Sequence, residues 1–415
     1  MTGFFRHLIF AASMVAASLA LPALAAVDRS GLERAFPNWL ETEIWPEAEA
    51  VGVSRNTFDA AFHGVTLDWE MPELHPPGAP ADKPRPEHQA EFRSPGAYFN
   101  QGRMNNEVAQ ARAELGQWKK TLAATEQRYG VPAEIVVAIW ARESSFGRAS
   151  IPHSAIRTLA THAYIGRRPE LFRRELVAAL VILENGDITP AKMKSSWAGA
   201  LGQPQFLPSH FLNYAVDFDG DGDRDIWNSV PDTLASIANF LSMVGWNPER
   251  DWGVEARVPA DISCTLEGPE QTITMEDWAR SGVTRIDGQP LPVRPGELGF
   301  LMMPAGRHGP AFIVSENFYI LKKYNFSDLY ALYVGHLADR MANNRKFASG
   351  WDDVGGFSRA DVRRMQLAME REGYDVGGAD GLIGFKTRVA TGIWQAKAGQ
   401  KSTCFPDAAM VSTIR

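Results

Sequence analysis

Two cysteines in 415 residues, Cys264 and Cys404, are too few for a disulfide framework. In an oxidising compartment the two could pair and tie the end of the chain to its middle; two unpaired thiols are the alternative. Positive charge is also short: Lys and Arg number 42 against 49 Asp and Glu, a net charge of −7. That balance argues against a nucleic-acid binder. There is no internal repeat. Past residue 26 no stretch is apolar enough to span a bilayer, so no membrane span is expected.

What is present is an ordinary globular composition, 45% hydrophobic and 22% charged, on a chain long enough for more than one domain. Residues 1–26 read as a cleaved secretory signal peptide. Arg6 and His7 precede an apolar stretch from Leu8 to Leu21, and Ala23 and Ala25 form a small-residue cleavage site. An uncleaved anchor is the alternative, disfavoured by the shortness of the run and by Pro22.

Residues 27–70, 98–128, 168–185, 231–244 and 317–343 carry helical patterns. Residues 71–89 are rich in proline and charge and read as a loop or cover. Between 251 and 313, short apolar runs are punctuated by Gly and Pro, which suggests a small strand-rich insertion. A Gly-rich hinge then precedes a tail of very small domain size.

The most informative stretch is AIWARESSFG, residues 138–147. Its helix starts at Pro132, with Glu134 in the first turn. Glu143 falls four residues after Ile139, three after Trp140 and seven after Val136, so it continues an apolar stripe. A carboxyl held against apolar neighbours loses hydration and its pKa rises, as a general acid at neutral pH requires. The plainer alternative is a solvated helix-end Glu paired with Arg142 or Arg148.

At these residues the chain resembles a known family. GVPAEIVVAIWARESSFG (130–147) is similar to the catalytic helix of soluble lytic transglycosylases. The longer match is to the membrane-bound lytic murein transglycosylase B family, in a soluble form. SSWAGALGQPQFLPSHFLNYAVDFDGDGDRDIW (195–227) resembles that family's second signature, and YNFSDLY (324–330) a third. The resemblance implies an enzyme that cuts the glycan strands of bacterial peptidoglycan, with Glu143 as the single acid and base. It implies a cleft lined by Ser196 and Gln205, a wall of Tyr324, Asn325 and Tyr330, and Tyr98 on the sugar-binding face. Phe240 stands where the family has Tyr, and Gln203-Pro204 where it has an aromatic-Gly pair. Both departures are expected at sugar subsites. Tyr324 and Tyr330 could equally be core residues, and Gly199 and Gly202 tight-turn residues.

Residues 217–232 carry the second sharp motif. Asp217, Asp219, Asp221, Asp223 and Asp225 alternate with Gly222 in an EF-hand-like order that suits a hard cation. Asn228 replaces the usual closing Glu; in the resembled family a longer loop closes on a later carboxylate, here Asp232. The expectation is a structural Ca²⁺, or weakly Na⁺, on Asp217, Asp219, Asp221, Asp223 and Asp232, with no organic cofactor. A metal-free acidic turn is the alternative.

Residues 357–415 resemble the small helical peptidoglycan-binding domain of wall enzymes, with Leu367, Met369, Tyr374, Leu382, Ile383 and Trp394 as its core. A helical cap on the catalytic domain is the plainer reading. The expected architecture is therefore mainly α. A lysozyme-like catalytic region spans 27–345, with its core at about 95–250 and 311–343 and a strand-containing insertion at about 251–310. A linker at 346–356 leads to a three-helix domain at 357–415. The expected partner is peptidoglycan glycan, with other wall enzymes as further candidates, and the expected location is the periplasm, at the wall. Two rival functions remain at this point, a hydrolytic muramidase and a non-catalytic wall-binding scaffold.

Overall fold

A computed structural model describes residues 27–79 and 95–414. The signal-peptide expectation lies outside the described residues, as does most of the proline-rich cover. Three short helices open the described chain: α1 (Arg29–Trp39), α2 (Trp45–Ala50) and α3 (Arg55–Phe62), with a π-helical turn at Leu40–Ile44 between the first two. After α4 (Pro95–Tyr98) come α5 (Gln101–Gln117), α6 (Lys119–Tyr129) and α7 (Ala133–Ser144). Strand β1 (His153–Ser154) leads into α8 (Ala155–Ile165) and α9 (Pro169–Glu184). Strand β2 (Lys194–Ser195) pairs back on β1 before α10 (Pro208–Tyr214) and α11 (Val230–Met243).

The helix α7 explains the arrangement. Every residue from Ile135 to Ala141 is buried. A helix that is apolar all round must be enclosed, and α5, α6, α11 and a later helix pack around it. Glu143 thus leaves the core at the end of a central helix; it does not extend a one-sided stripe. The sequence reading missed α8 and α10. In α8 nine of eleven residues are buried, including Thr158, Thr161 and His162, so polar residues inside the core blur the amphipathic period.

The insertion is an antiparallel sheet in the order β4-β3-β7-β5, built from β3 (Gly253–Arg257), β4 (Thr284–Arg285), β5 (Phe300–Met302) and β7 (Ala311–Val314). Strand β6 (Pro304–Arg307) and helix α12 (Met275–Arg280) flank it. Because β7 is an inner strand, the sheet extends past residue 310, and helical structure resumes with α13 (Glu316–Tyr324) and α14 (Asp328–Asn343).

Residues 346–356 are not a free tether. Trp351 stacks on Phe99 with ring centroids 5.2 Å apart, Phe347 stacks on His336 at 3.7 Å, and the amides of Ala348 and Ser349 donate to Glu255 at 2.8 Å each. The C-terminal unit has three helices, α15 (Arg359–Arg371), α16 (Phe385–Lys397) and α17 (Ala408–Thr413). Val362, Met365, Met369, Val376, Ala390 and Met410 fill its core. Leu367, expected inside, is 41% exposed, because the buried stripe of α15 runs through 362, 365 and 369 instead. The unit is bonded to the insertion by a Cys264–Cys404 disulfide, so the two cysteines do pair. At Gly268, φ +111°, a Cβ would lie 2.5 Å from the Phe385 ring, so only glycine allows this approach.

Candidate active site

Where α7 emerges from the core, Ser145, Phe146 and Gly147 take left-handed φ values of 51°, 61° and 74° in succession. That turn ends the helix and leaves Glu143 at its rim. A Cβ on residue 147 would sit 2.4 Å from the Gln203 side-chain oxygen. The same oxygen accepts the Trp140 indole N–H at 2.8 Å, and the Gln203 amide nitrogen donates to the Trp227 carbonyl at 3.1 Å. Gln203 therefore fastens the helix to the 195–227 segment. It is buried, which corrects the expectation that this departure from the family falls at a sugar contact.

Glu143 is half-buried. The Tyr330 hydroxyl, at the start of α14, donates to its Oε1 at 2.6 Å. Burial pushes the Glu143 carboxyl up to about 7, against the opposing pull of the Tyr330 bond and of the Arg142 charge. Arg142 does not pair with it. Its guanidinium donates to the Tyr98 hydroxyl at 2.8 Å and lies 5.0 and 5.2 Å from the ring centroids of Tyr98 and Tyr333. Arg148 pairs with Glu114 instead. The solvated, salt-bridged reading of Glu143 therefore fails on geometry. Burial likewise holds the Tyr324 and Tyr330 phenols well above their usual range, so both stay protonated at neutral pH.

Tyr324 and Tyr330 stack 6.4 Å apart, nearly parallel, and the Tyr324 hydroxyl donates to the Pro204 carbonyl at 2.7 Å. The structure thus draws the 324–330 corner, the end of α7 and the 203–205 turn together. Gln205 sits in that turn at φ 54°, its side-chain amide donating to the Gly202 carbonyl at 2.8 Å. Ser196 is half-buried, and its Oγ accepts the Ala200 amide at 3.2 Å. Asn325 is exposed at the corner, beside Phe326, which is 90% exposed. A separate cleft of about 810 Å³ lies between this corner and the C-terminal unit, lined by Lys322, Phe326, Phe357, Arg359 and Leu382; Glu143, Ser196, Gln205, Tyr324 and Tyr330 are not in its lining.

Two expected sugar contacts are placed otherwise. Tyr98 is 3% exposed and braces Arg142 from below. Phe240 is also 3% exposed, packed between Tyr214 and Tyr324, so its missing hydroxyl changes the backing of the wall and not its surface. Gly199 and Gly202 take positive φ, as the plain turn reading has it.

In the aspartate loop, carboxylate oxygens of Asp217, Asp219 and Asp221 come within 4.8 Å of one another. Three convergent carboxylates on one turn fit a hard cation such as Ca²⁺. Asp223 is not in that group. Asp232 is fully buried, and its oxygens accept the amides of Phe218 at 2.8 Å and Asp225 at 2.9 Å, which ties both ends of the loop to the start of α11.

The model of the family described as the transglycosylase SLT domain matches residues 35–339. The chain belongs to that family. It is 33% identical over 227 residues to the membrane-bound lytic murein transglycosylase B of Escherichia coli K12; the match spans 54% of this chain and 61% of that relative. It is 40% identical to SltB3 of Pseudomonas aeruginosa solved in complex with NAG-NAM-pentapeptide, covering 92% of this chain and 99% of that one at a TM-score of 0.82. The same protein in complex with NAG-anhNAM-pentapeptide aligns at 38% identity and a TM-score of 0.79 over the same shares. Escherichia coli Slt35 in complex with calcium shares the fold at 23% identity and a TM-score of 0.53, over 77% of this chain and 94% of that one. The mainly α, lysozyme-like architecture with a small sheet agrees with the family's solved members.

Proposed function

We propose that the chain is a lytic transglycosylase that cuts the β-1,4 bond between N-acetylmuramic acid and N-acetylglucosamine in peptidoglycan and leaves 1,6-anhydromuramoyl ends. The observation that carries this reading is the Glu143 carboxyl at the rim of the core, bonded by the Tyr330 hydroxyl and pushed up to about 7 by burial, on which, among the described residues, a phenol and a guanidinium act and no second carboxylate does. Glycosidases that use water or a covalent intermediate ordinarily need two carboxyl groups. One group suffices if the sugar supplies its own nucleophile. SltB3, 38% identical, was solved with an anhydro-sugar muropeptide, which supports a sugar that closes on itself.

Tyr330 occupies Oε1, so the transferable proton resides on Oε2. Protonated Glu143 gives that proton to the glycosidic oxygen as the bond from the muramic C1 breaks. The substrate's N-acetyl group offsets the positive charge at C1. The carboxylate, held by the Tyr330 hydroxyl, then takes the proton of the C6 hydroxyl as its oxygen bonds to C1. No water is consumed, and intramolecular attack in good alignment is worth ~7 kcal/mol or more. Tyr324, Asn325, Ser196 and Gln205 line the approach, with Asn325 and Ser196 as hydrogen-bonding groups for the acetamide. A cation on Asp217, Asp219 and Asp221 would stiffen the loop beside the 203–205 turn and supply no chemistry.

The C-terminal unit would hold the enzyme on the wall and raise the local concentration of strands. Residues 1–26 would direct the chain to the periplasm, and the Cys264–Cys404 disulfide is in keeping with an oxidising compartment. The test is digestion of purified sacculi in ¹⁸O-water, with mass spectrometry of the products. Anhydro ends without ¹⁸O support the reading; reducing ends carrying ¹⁸O make the chain a muramidase; no cleavage makes it a scaffold.

A further inference from the structure

The C-terminal unit reaches the active-site wall through one buried side chain. Arg388, on α16, is 2% exposed. Its guanidinium donates to both oxygens of Glu267 in the insertion, at 2.6 to 3.1 Å, and to Asp328 Oδ2 at 2.9 Å. Its remaining nitrogen donates to the Ile383 carbonyl of its own unit at 2.9 Å. A planar fork with five donors suits this three-way role, and a lysine could fill only part of it.

Asp328 is the first residue of α14, two residues before Tyr330. It also accepts from Lys322 Nζ at 2.6 Å, and Lys322 lies on α13 two residues before Tyr324. Both ends of the 324–330 corner are therefore fastened at Asp328, and Asp328 is fastened by Arg388. That corner carries the Tyr330 hydroxyl bonded to Glu143.

We propose that Arg388 is a positioning residue for the reaction: through Asp328 and Lys322 it fixes the 324–330 corner, so that the C-terminal unit is part of the catalytic assembly and not only a wall anchor. The inference rests on the proposed transglycosylase reading. A buried ion pair is poor evidence of stability, since its desolvation offsets its attraction. Its better-attested use is to select one arrangement, here that of the corner.

The test uses the full-length chain, once the wild type has been shown to release anhydro products from soluble muropeptides; failure at that stage counts against the transglycosylase reading and not against the role of Arg388. Arg388→Met is expected to lower kcat roughly 10- to 100-fold with little change in KM, the scale of a misplaced catalytic group. Arg388→Lys should recover part of that loss. The falling limb of the pH profile should move up in Arg388→Met, because loss of the Tyr330 bond leaves burial less opposed at Glu143; Arg142, on α7, stays in place, and Tyr324 moves with the corner but stays an uncharged phenol. Should Arg388→Met not fold, Lys322→Met reports on the same corner without emptying the buried pair and should lower kcat in the same direction. Glu267→Gln cuts only the leg to the insertion and should lower Tm while kcat stays within about threefold. Folded Arg388→Met with wild-type kcat and pH profile, or a kcat loss in Glu267→Gln as large as in Arg388→Met, overturns the proposal.

Discussion

Glu143, half-buried at the rim of its helix, and Glu267, fully buried, are two carboxylates of one molecule put to opposite uses. Burial pushes both upward. At Glu267 the Arg388 guanidinium answers with a two-pronged bond, and the Met303 amide adds a further donor at 2.9 Å. At Glu143 the answer is a single phenol, while the neighbouring Arg142 is turned away onto two tyrosine rings. The first group is held as one half of an ion pair and serves as a fastening. The second is left able to gain and lose a proton near neutrality. Enclosure alone does not make a reactive acid; the partner supplied decides it.

Neutralising each carboxyl in turn breaks the comparison most directly. Glu143→Gln should lower turnover of sacculi by about a thousandfold or more, as expected when a general acid is removed. It should also flatten the pH dependence of stability. A carboxyl raised from 4.5 to about 7 on folding binds more protons folded than unfolded in that window. Wild-type stability therefore falls as pH rises through it, by up to ~3 kcal/mol, and the Gln variant lacks that loss. Thermal melts between pH 4 and 8 check it.

Glu267→Gln should show the reverse pattern: a stability loss of about 3 kcal/mol from half-breaking a buried pair, read by denaturant titration, with turnover kept. Tyr330→Phe sharpens the Glu143 side. Loss of a bond to a charged acceptor is worth ~1.5–3 kcal/mol, so turnover should fall about tenfold or more. The midpoint of the falling pH limb should move above 7, since the bond favours the ionised form. The smallest effect concerns the carboxylates that are grouped instead of isolated. Calcium should raise the wild-type Tm by a few °C, about 3, through binding linkage, and Asp217→Ala with Asp221→Ala should abolish that rise in calorimetry.

The same contrast marks how far the sequence could be read. Glu143 was legible because an apolar helix ending in a carboxylate is unusual, and the resemblance extended over three separate stretches. The helices at 169–184 and 230–243 were legible from their period; 317–343 read as one helical run, and its break at 325–327 between α13 and α14 was not legible. The bonded partner of Glu143, Tyr330, was legible only through the resemblance, and the contacts behind that pair were not legible at all. Nothing in the order of residues says that Arg142 leans on Tyr98 and Tyr333, or that Gln203 reaches Trp140, because these contacts join elements 44 to 191 residues apart. Phe240 and Tyr98 read as surface aromatics and lie inside, since an aromatic residue carries no mark of which side of the wall it occupies. Asp232 read as a ligand, and its bonds to the Phe218 and Asp225 amides were not legible, because a carboxylate at a helix start suits several roles. The 346–356 strap read as a linker from its glycines, although Phe347 and Trp351 anchor it.

The most direct test is titration of Glu143 itself, by NMR of the full chain carrying ¹³C-labelled glutamate, with Glu143→Gln identifying the signal. The account expects a midpoint of about 7 in the wild type and a higher one in Tyr330→Phe. A midpoint near the ordinary carboxylate value of 4.5 would contradict it, since Glu143 would then carry no proton to give at neutral pH.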